Sequence, residues 1–392
     1  MKLIKLLKIK IMKKHKICII GDGLSGLVTA QILSKLDIQI DLISKKDKKK
    51  ITDNRTTAIS PSNFKFLSAF LTKKINKFFF SSKEVDLYFE NEKNSYINFM
   101  KFQDASKNIM HIIENKNLIE YLKLDLKKNK KVKFLYSNIN NIKVDTTSIE
   151  YQNKINYYDM IFLCVGRNNK LVEELIGKRF IKKNKKETAL SCIVSHNGQL
   201  NNSKQYFLKE GPMALLPINT KKFSLIWSVN TSYFNNNKAE VKKNIALKLN
   251  SIFSIKTKFI VSEVNNFDIY FKFHNKFFNK NIFAIGESAY NVHPIAGQGF
   301  NLVLRDIKEL NNKIKKTISL GMQIKDSLIF EQVYKARKPE NFIYGLGIDF
   351  TQQFFRNNKF TEPFKKSFLK DLNKFAFLKK IGLRIADKGI IN

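Results

Sequence analysis

Three glycines spaced Gly21-x-Gly23-x-x-Gly26 stand between an apolar run, Lys16 to Ile20, and a stretch of helical periodicity from Leu24 to Leu36. The first glycine permits a tight bend, the second lets a diphosphate approach the backbone, and the third lets the helix pack closely on the strand. Free N–H groups at the helix start, aided by the helix dipole, then favour the anion. A second locus lies about 260 residues downstream. There Gly286 and Glu287 follow an apolar run, Lys280 to Gly286, and Pro294, Gly297, Gln298, Gly299 and Asn301 lead into an amphipathic stretch from Phe300 to Ile318. Two such strand-loop-helix sites imply one large anionic ligand touched at both ends. Arg55 supplies a guanidinium suited to a diphosphate. At the end of the second strand, where an acidic residue would bind ribose hydroxyls, stands Ser44, with Asp47 three residues on.

These loops need a sheet to hold them. Lys16 to Ile20, Ile38 to Ile43, Asp159 to Gly166 and Lys280 to Gly286 read as buried parallel strands, the first two joined as a βαβ unit. Val85 to Phe89, Tyr96 to Phe99, Met213 to Pro217 and Phe223 to Val229 lack that character and read as an inserted antiparallel sheet. Met213, Leu215, Phe223 and Trp227 are expected in its core, with one face of the sheet lining a pocket for an apolar ligand. The expected fold is therefore α/β: a Rossmann-like domain from 12–72, 104–178 and 266–320, an inserted substrate domain from 73–103 and 179–265, and a helical C-terminal region, 321–392. Glu114 and Asn115 open a further helix as capping or contact residues, and His293 beside Pro294 reads as a structural hydrogen-bonding residue.

The 392 residues include 43% hydrophobic ones, enough for a substantial core, which excludes a disordered chain. Cys18, Cys164 and Cys192 lie far apart in apolar runs, so neither a disulfide framework nor a metal site is expected, and the thiols are read as buried in a reducing compartment. The 71 Lys+Arg against 33 Asp+Glu give a net charge of +38. The cations are spread along the chain without any nucleic-acid-binding motif, so an anionic membrane surface is the expected partner and nucleic acid is not. No apolar run approaches the roughly 18 residues that cross a bilayer, giving a cytoplasmic expectation with peripheral attachment to the inner membrane. Residues 1–11 read either as a short basic amphipathic helix or as sequence ahead of a start at Met12.

The ordered motifs resemble those of the ubiquinone-biosynthesis aromatic hydroxylases, flavin monooxygenases of the p-hydroxybenzoate hydroxylase fold. Asp53 to Ser60 (DNRTTAIS) resembles the family's D-x-R-x-x-A-[LI]-S, and His111 to Asn115 with Leu118 resembles its h-I-v-E-N segment. Glu210 to Pro217 (EGPMALLP), with Trp227 downstream, is similar to its e-G-P-l-A-l-L-P. Gly286 to Asn301 resembles its second FAD motif, and Arg305, Asp306, Tyr334 and Arg337 match later positions. The resemblance implies FAD, held by Gly21, Gly23, Gly26, Arg55, Gly286, Glu287, Gly297, Gln298, Gly299 and Asn301. It further implies NAD(P)H or another reductant, O2, a polyprenylated phenol hydroxylated through a flavin C4a-hydroperoxide, and company among other ubiquinone-biosynthesis proteins. Catalysis falls to the flavin-facing loop of Pro294, Gly297, Gln298 and Gly299 rather than to one side chain. Three residues depart from the pattern: Val165 where the family has Asp before Gly166, Glu287 for Asp, and Tyr290 for His. The alternatives are a same-fold flavin reductase acting on a prenyl chain and a non-catalytic scaffold of a quinone-synthesis complex.

Overall fold

The computed structural model describes residues 14–45, 55–167, 169–198, 200–253, 257–294, 297–326, 328–355 and 376–390. Asp47, Asp53, Asn54 and residues 1–11 lie outside the described residues, as does part of the C-terminal region.

Continuous apolar runs without polar alternation make strands that must be covered on both faces. Such runs form a six-stranded sheet in the order Phe278–Asn279, Ile282–Ala284, Met160–Leu163, His15–Ile20, Ile38–Ser44, Val132–Tyr136. Every pairing is parallel except that of the short edge strand Phe278–Asn279. Helices Leu24–Leu33 and Asn115–Lys127 pack on each other, and Gly299–Ser319 packs on the first of them. Leu24–Leu33 is apolar nearly all round and buried from Gly26 onward, as a helix enclosed by sheet and two helices must be.

The larger sheet has nine strands. Its order is Tyr290–Asn291, Asn265–His274, Phe180–His196, Lys222–Asn230, Gly211–Asn219, Ser203–Leu208, Glu84–Glu90, Tyr96–Gln103, with Phe259–Val261 pairing beside Phe180–His196. All four strands expected from the sequence lie within it. The expectation of a wholly antiparallel sheet needs one correction: Ser203–Leu208 runs parallel to Glu84–Glu90. These strands come from separate passes of the chain, so no tight turn dictates their relative direction.

Strand register sorts the side chains of this sheet onto two faces. Met213 lies opposite Trp227, and Leu215 opposite Leu225. Together with Leu190, Cys192 and Phe223 they form a buried apolar cluster, as expected. On the other face Ser191 lies opposite Ile226, Ala189 opposite Phe267, and Glu187 opposite Ile269. A bulge between Asn184 and Glu187, with Lys186 at φ 51°, sets the phase of this stripe. The long helix Ile329–Phe355 and the final helix Ala376–Lys388 complete the described fold.

Candidate functional site

The Gly21 amide donates to the Ile43 carbonyl at 2.8 Å, turning the chain out of the first strand at φ 109°. A Cβ on Gly21 would overlap the Cys164 carbonyl, and one on Gly26 would overlap the Gly21 carbonyl. Those two glycines are fixed by packing. Gly23 is different: a Cβ there meets nothing within 4 Å. Its backbone is extended, and it opens the helix Leu24–Leu33 toward a cleft.

That cleft, about 1650 Å³ in volume, is shared by both glycine loops. They touch where a Cβ on Gly286 would come 2.8 Å from Ser25 Oγ. Of the residues singled out in the sequence, Gly21, Gly23, Arg55, Gly286, Glu287, Pro294, Gly297 and Gly299 line the cleft. Gly26 lies beneath it in the strand–helix contact. Gln298 is buried at the start of helix Gly299–Ser319, makes no side-chain cap, and leaves Oε1 without a partner among the described residues. Asn301 is a brace. Its Oδ1 accepts from the Ser60 amide at 2.9 Å and from Asn63 Nδ2 at 3.0 Å, while its Nδ2 donates to the Ala58 carbonyl at 2.9 Å.

Two of the cleft's carboxylates are paired within it, one with two arginines and the other with a lysine. Glu287 Oε1 accepts from Arg167 at 2.9 Å, with an Arg55 nitrogen 4.0 Å away. Arg167 also lies 5.1 Å from the centre of the Phe267 ring and donates to the Asp268 carbonyl at 3.2 Å. Asp22, between the first two glycines, is held by Lys123 at 2.5 Å. Neither Lys123 nor Arg167 was signalled by the sequence. One is a lysine among many, brought in by the far turn of helix Asn115–Lys127, and the other follows the Val165-Gly166 pair.

The departures from the family pattern acquire local explanations. The Val165 amide donates to Ser288 Oγ at 3.1 Å, tying the middle strand to the second loop without using the Val165 side chain. Tyr290 donates to Asp306 at 2.5 Å inside a buried group with Arg337, Glu340 and Asn341. Burial first, then the Asp306 carboxylate, pushes the Tyr290 hydroxyl well above the ordinary phenol range, so it stays a donor. Ser44 Oγ, at the cleft end of its strand, is buried and has no hydrogen-bond partner among the described residues. Asn115 accepts from Thr57 at 2.5 Å, and Glu114 makes no side-chain cap. His293 Nε2 lies 3.1 Å from Glu187 Oε2, consistent with a structural hydrogen bond. Another wall comes from the large sheet, through Ser191, Ile226, Phe267 and Ile269, with Val292 from the second loop and Phe300 from the helix that follows it.

No family model matches the chain. A ubiquinone biosynthesis monooxygenase of Dictyostelium discoideum is 28% identical over 186 residues, 39% of this chain and 38% of that protein. The 3-demethoxyubiquinol 3-hydroxylase of Escherichia coli is 24% identical over 208 residues, 51% of this chain and 49% of that protein. The match to the monooxygenase of Caenorhabditis elegans, 22% identical, extends over 78% of each chain. Over these spans the chain is similar to ubiquinone-biosynthesis monooxygenases. The first of these matches thus span under half of the relatives' own length. Among solved structures, p-nitrophenol 4-monooxygenase from Pseudomonas putida superposes with a TM-score of 0.77 at 12% identity, covering 94% of this chain and 97% of that one. Klebsiella pneumoniae HpxO, complexed with FAD and uric acid, superposes with a TM-score of 0.72 at 12% identity, covering 96% and 98%. The fold is that of the FAD-dependent aromatic monooxygenases.

Proposed function

We propose that this chain is an FAD-dependent monooxygenase that hydroxylates the aromatic ring of a polyprenylated phenol in ubiquinone biosynthesis, using O2 and NAD(P)H or another reductant. The observation carrying this reading is a cleft onto which two glycine loops and the Ser191, Ile226, Phe267 and Ile269 face of the large sheet all open. The residues present fit FAD. Gly23 offers bare backbone at a helix start, Ser44 offers an unpartnered hydroxyl at the ribose position, and Gly297 and Gly299 line the cleft where the second helix begins.

Bound FAD supplies the activation of O2 that ring hydroxylation requires. The protein's part is electrostatic and geometric. The N-terminus of helix Gly299–Ser319 favours negative charge beside it by about 0.3–1 kcal/mol, more when shielded from water. Arg55 and Arg167 carry positive charge at the cleft, with Glu287 fixed between them. Ile226, Phe267, Ile269 and Phe300 give an apolar wall that excludes water and orients a ring. We place the enzyme at an anionic membrane surface, because exposed Ile343, Leu346 and Phe350 recur along the long helix of a chain with net charge +38. No described helix is long and apolar enough to cross a membrane.

The test is the visible absorption spectrum of the purified protein with chromatographic identification of the released cofactor. Turnover with reductant, O2 and a prenylated phenol follows. The expected result is stoichiometric FAD and a hydroxylated product. A colourless protein that takes up no added FAD would refute the reading and favour the scaffold. Cosedimentation with liposomes that ignores anionic lipid would refute the membrane placement.

A further inference from the structure

We propose that Asp387, on the C-terminal helix Ala376–Lys388, is a positioning residue for the cofactor loop, acting through Ser60, Ser62 and Asn301. This rests on the FAD reading above. The Asp387 carboxylate accepts from the Ser62 amide at 2.6 Å and from Ser62 Oγ at 2.8 Å. It therefore occupies the start of helix Pro61–Ser68, whose own N-cap residue, Ser60, makes no side-chain cap. An N-terminal helix amide left without an acceptor is costly when removed from water, and a carboxylate is a strong acceptor for it. Ser60 is freed for other duties. Its amide donates to Asn301 Oδ1 at 2.9 Å, and its hydroxyl donates to the Asp387 carbonyl at 3.2 Å.

Asn301 carries the connection into the cleft. Its Nδ2 donates to the Ala58 carbonyl at 2.9 Å and reaches the Gly297 carbonyl at 3.5 Å. A Cβ on Gly297 would stand 3.2 Å from Ala58 Cβ, so the loop rests directly on the strand that Asn301 braces. The C-terminal helix is also gripped by the helix that carries Asn301 and by the long helix Ile329–Phe355. Arg305 donates to the Ala386 carbonyl at 2.9 Å and the Asp387 carbonyl at 3.3 Å, and Tyr344 donates to the Ile385 carbonyl at 2.9 Å. Three carbonyls of the last turn are thus satisfied by side chains, and a cation sits at the negative end of the helix dipole. Gly389, at φ 97°, closes against the Glu340 carboxylate where no larger residue would fit. Helix Ala376–Lys388 is a seated part of the site's support, linked to Gly297 through Ser60 and Asn301.

If seating and FAD binding are coupled, each strengthens the other by the same factor. Asp387→Ala is expected to weaken FAD binding to the apoprotein about 5- to 10-fold, the lower part of the usual coupling range. Asp387→Asn, which keeps an oxygen acceptor for the Ser62 amide, is expected to restore most of that loss. Ser62→Ala, a milder change that removes only the hydroxyl bond, is expected to give a smaller loss in the same direction and serves should Asp387→Ala fold poorly. Hydrogen exchange adds a reciprocal readout: FAD is expected to slow exchange across residues 376–388 in the wild type and less so in Asp387→Ala. A purely structural Asp387 would lower the melting temperatures of apo and FAD-bound protein equally, with the FAD dissociation constant unchanged. That result would overturn the inference while leaving the FAD reading intact. A wild type that takes up no FAD would remove both.

Discussion

Replacing Gly23 with alanine separates ligand recognition from folding, because the structure assigns the three glycines of the first loop different duties. At Gly23 the backbone angles, φ −73° and ψ −179°, suit any residue, and an added methyl meets no protein atom within 4 Å. Reduced freedom of the unfolded chain stabilises the alanine variant by about 0.4–1 kcal/mol, and the poorer helix-capping preference of alanine offsets a comparable amount. The net change in apoprotein stability is expected within about 0.5 kcal/mol, a shift of roughly 2 °C or less in melting temperature. The methyl does, however, occupy the space through which a diphosphate would reach the backbone. Losing one charge-assisted hydrogen bond costs about 1.5–3 kcal/mol, or roughly 10- to 150-fold in affinity. Gly26→Ala reverses the pattern. Its methyl would overlap the Gly21 carbonyl and approach Cys164 Cβ at 3.3 Å. Such overpacking costs about 1–3 kcal/mol of stability even without a ligand. The assay pairs thermal melting of the apoprotein with flavin-fluorescence titration. A Gly23→Ala protein that melts and binds FAD like the wild type would refute the placement of the diphosphate at this loop.

Two further outcomes follow from charge. Lys123→Met exposes the diphosphate site to the Asp22 carboxylate and is expected to weaken FAD binding by about 5-fold, equivalent to about 1 kcal/mol. Adding Asp22→Asn should restore affinity if Lys123 acts by cancelling that charge, and failure to rescue in the titration would show direct phosphate contact instead. Burial lowers the pKa of His111 and His274 from near 6.5 to about 4. Between these values the unfolded chain takes up protons that the folded chain refuses. Stability contributed by keeping both rings neutral is therefore intact above pH 6.5 and lost as pH falls toward 4, at up to about 2.7 kcal/mol per pH unit for two protons. Urea melts across pH 7 to 4.5 measure this, and a double His111→Gln, His274→Gln variant whose slope matches the wild type would contradict it.

Much of the framework was legible because it rests on local signals. Apolar runs gave the parallel strands, strand-like runs without that fully buried character gave four strands of the large sheet, and the glycine spacing gave the first loop. Pairings across the fold left no such mark. Arg167 and Glu287 are 120 residues apart in sequence, and Lys123 and Asp22 are 101. Asn301 was assigned to the cofactor by resemblance, yet its amide is engaged with Ser60, Asn63 and Ala58, because a buried amide is held by every partner within reach. Tyr290 looked like an unexplained replacement until Asp306 and Arg337 gave its hydroxyl a destination. The parallel pairing in the large sheet escaped notice for a similar reason: strand direction between distant segments is decided by the route of the chain, not by side-chain pattern.

The two-faced strand Phe180–His196 bears on how this fold could diversify. Leu190 and Cys192 are locked into the apolar cluster, while Ser191 between them faces the cleft directly across from Ile226. Phe267 and Ile269 extend the same stripe on the neighbouring strand. Under the proposed function, a change at any of these four positions alters the contour offered to a bound ring while leaving the Leu190 and Cys192 side of the strand in place. Because all four project from paired backbone, such changes arrive as side-chain swaps on a fixed lattice and need no loop to be rebuilt. On the proposed function, divergence toward new ring substituents is open to single mutations, whereas Glu187, on the same stripe but bonded to His293, is shielded from such drift by its partner.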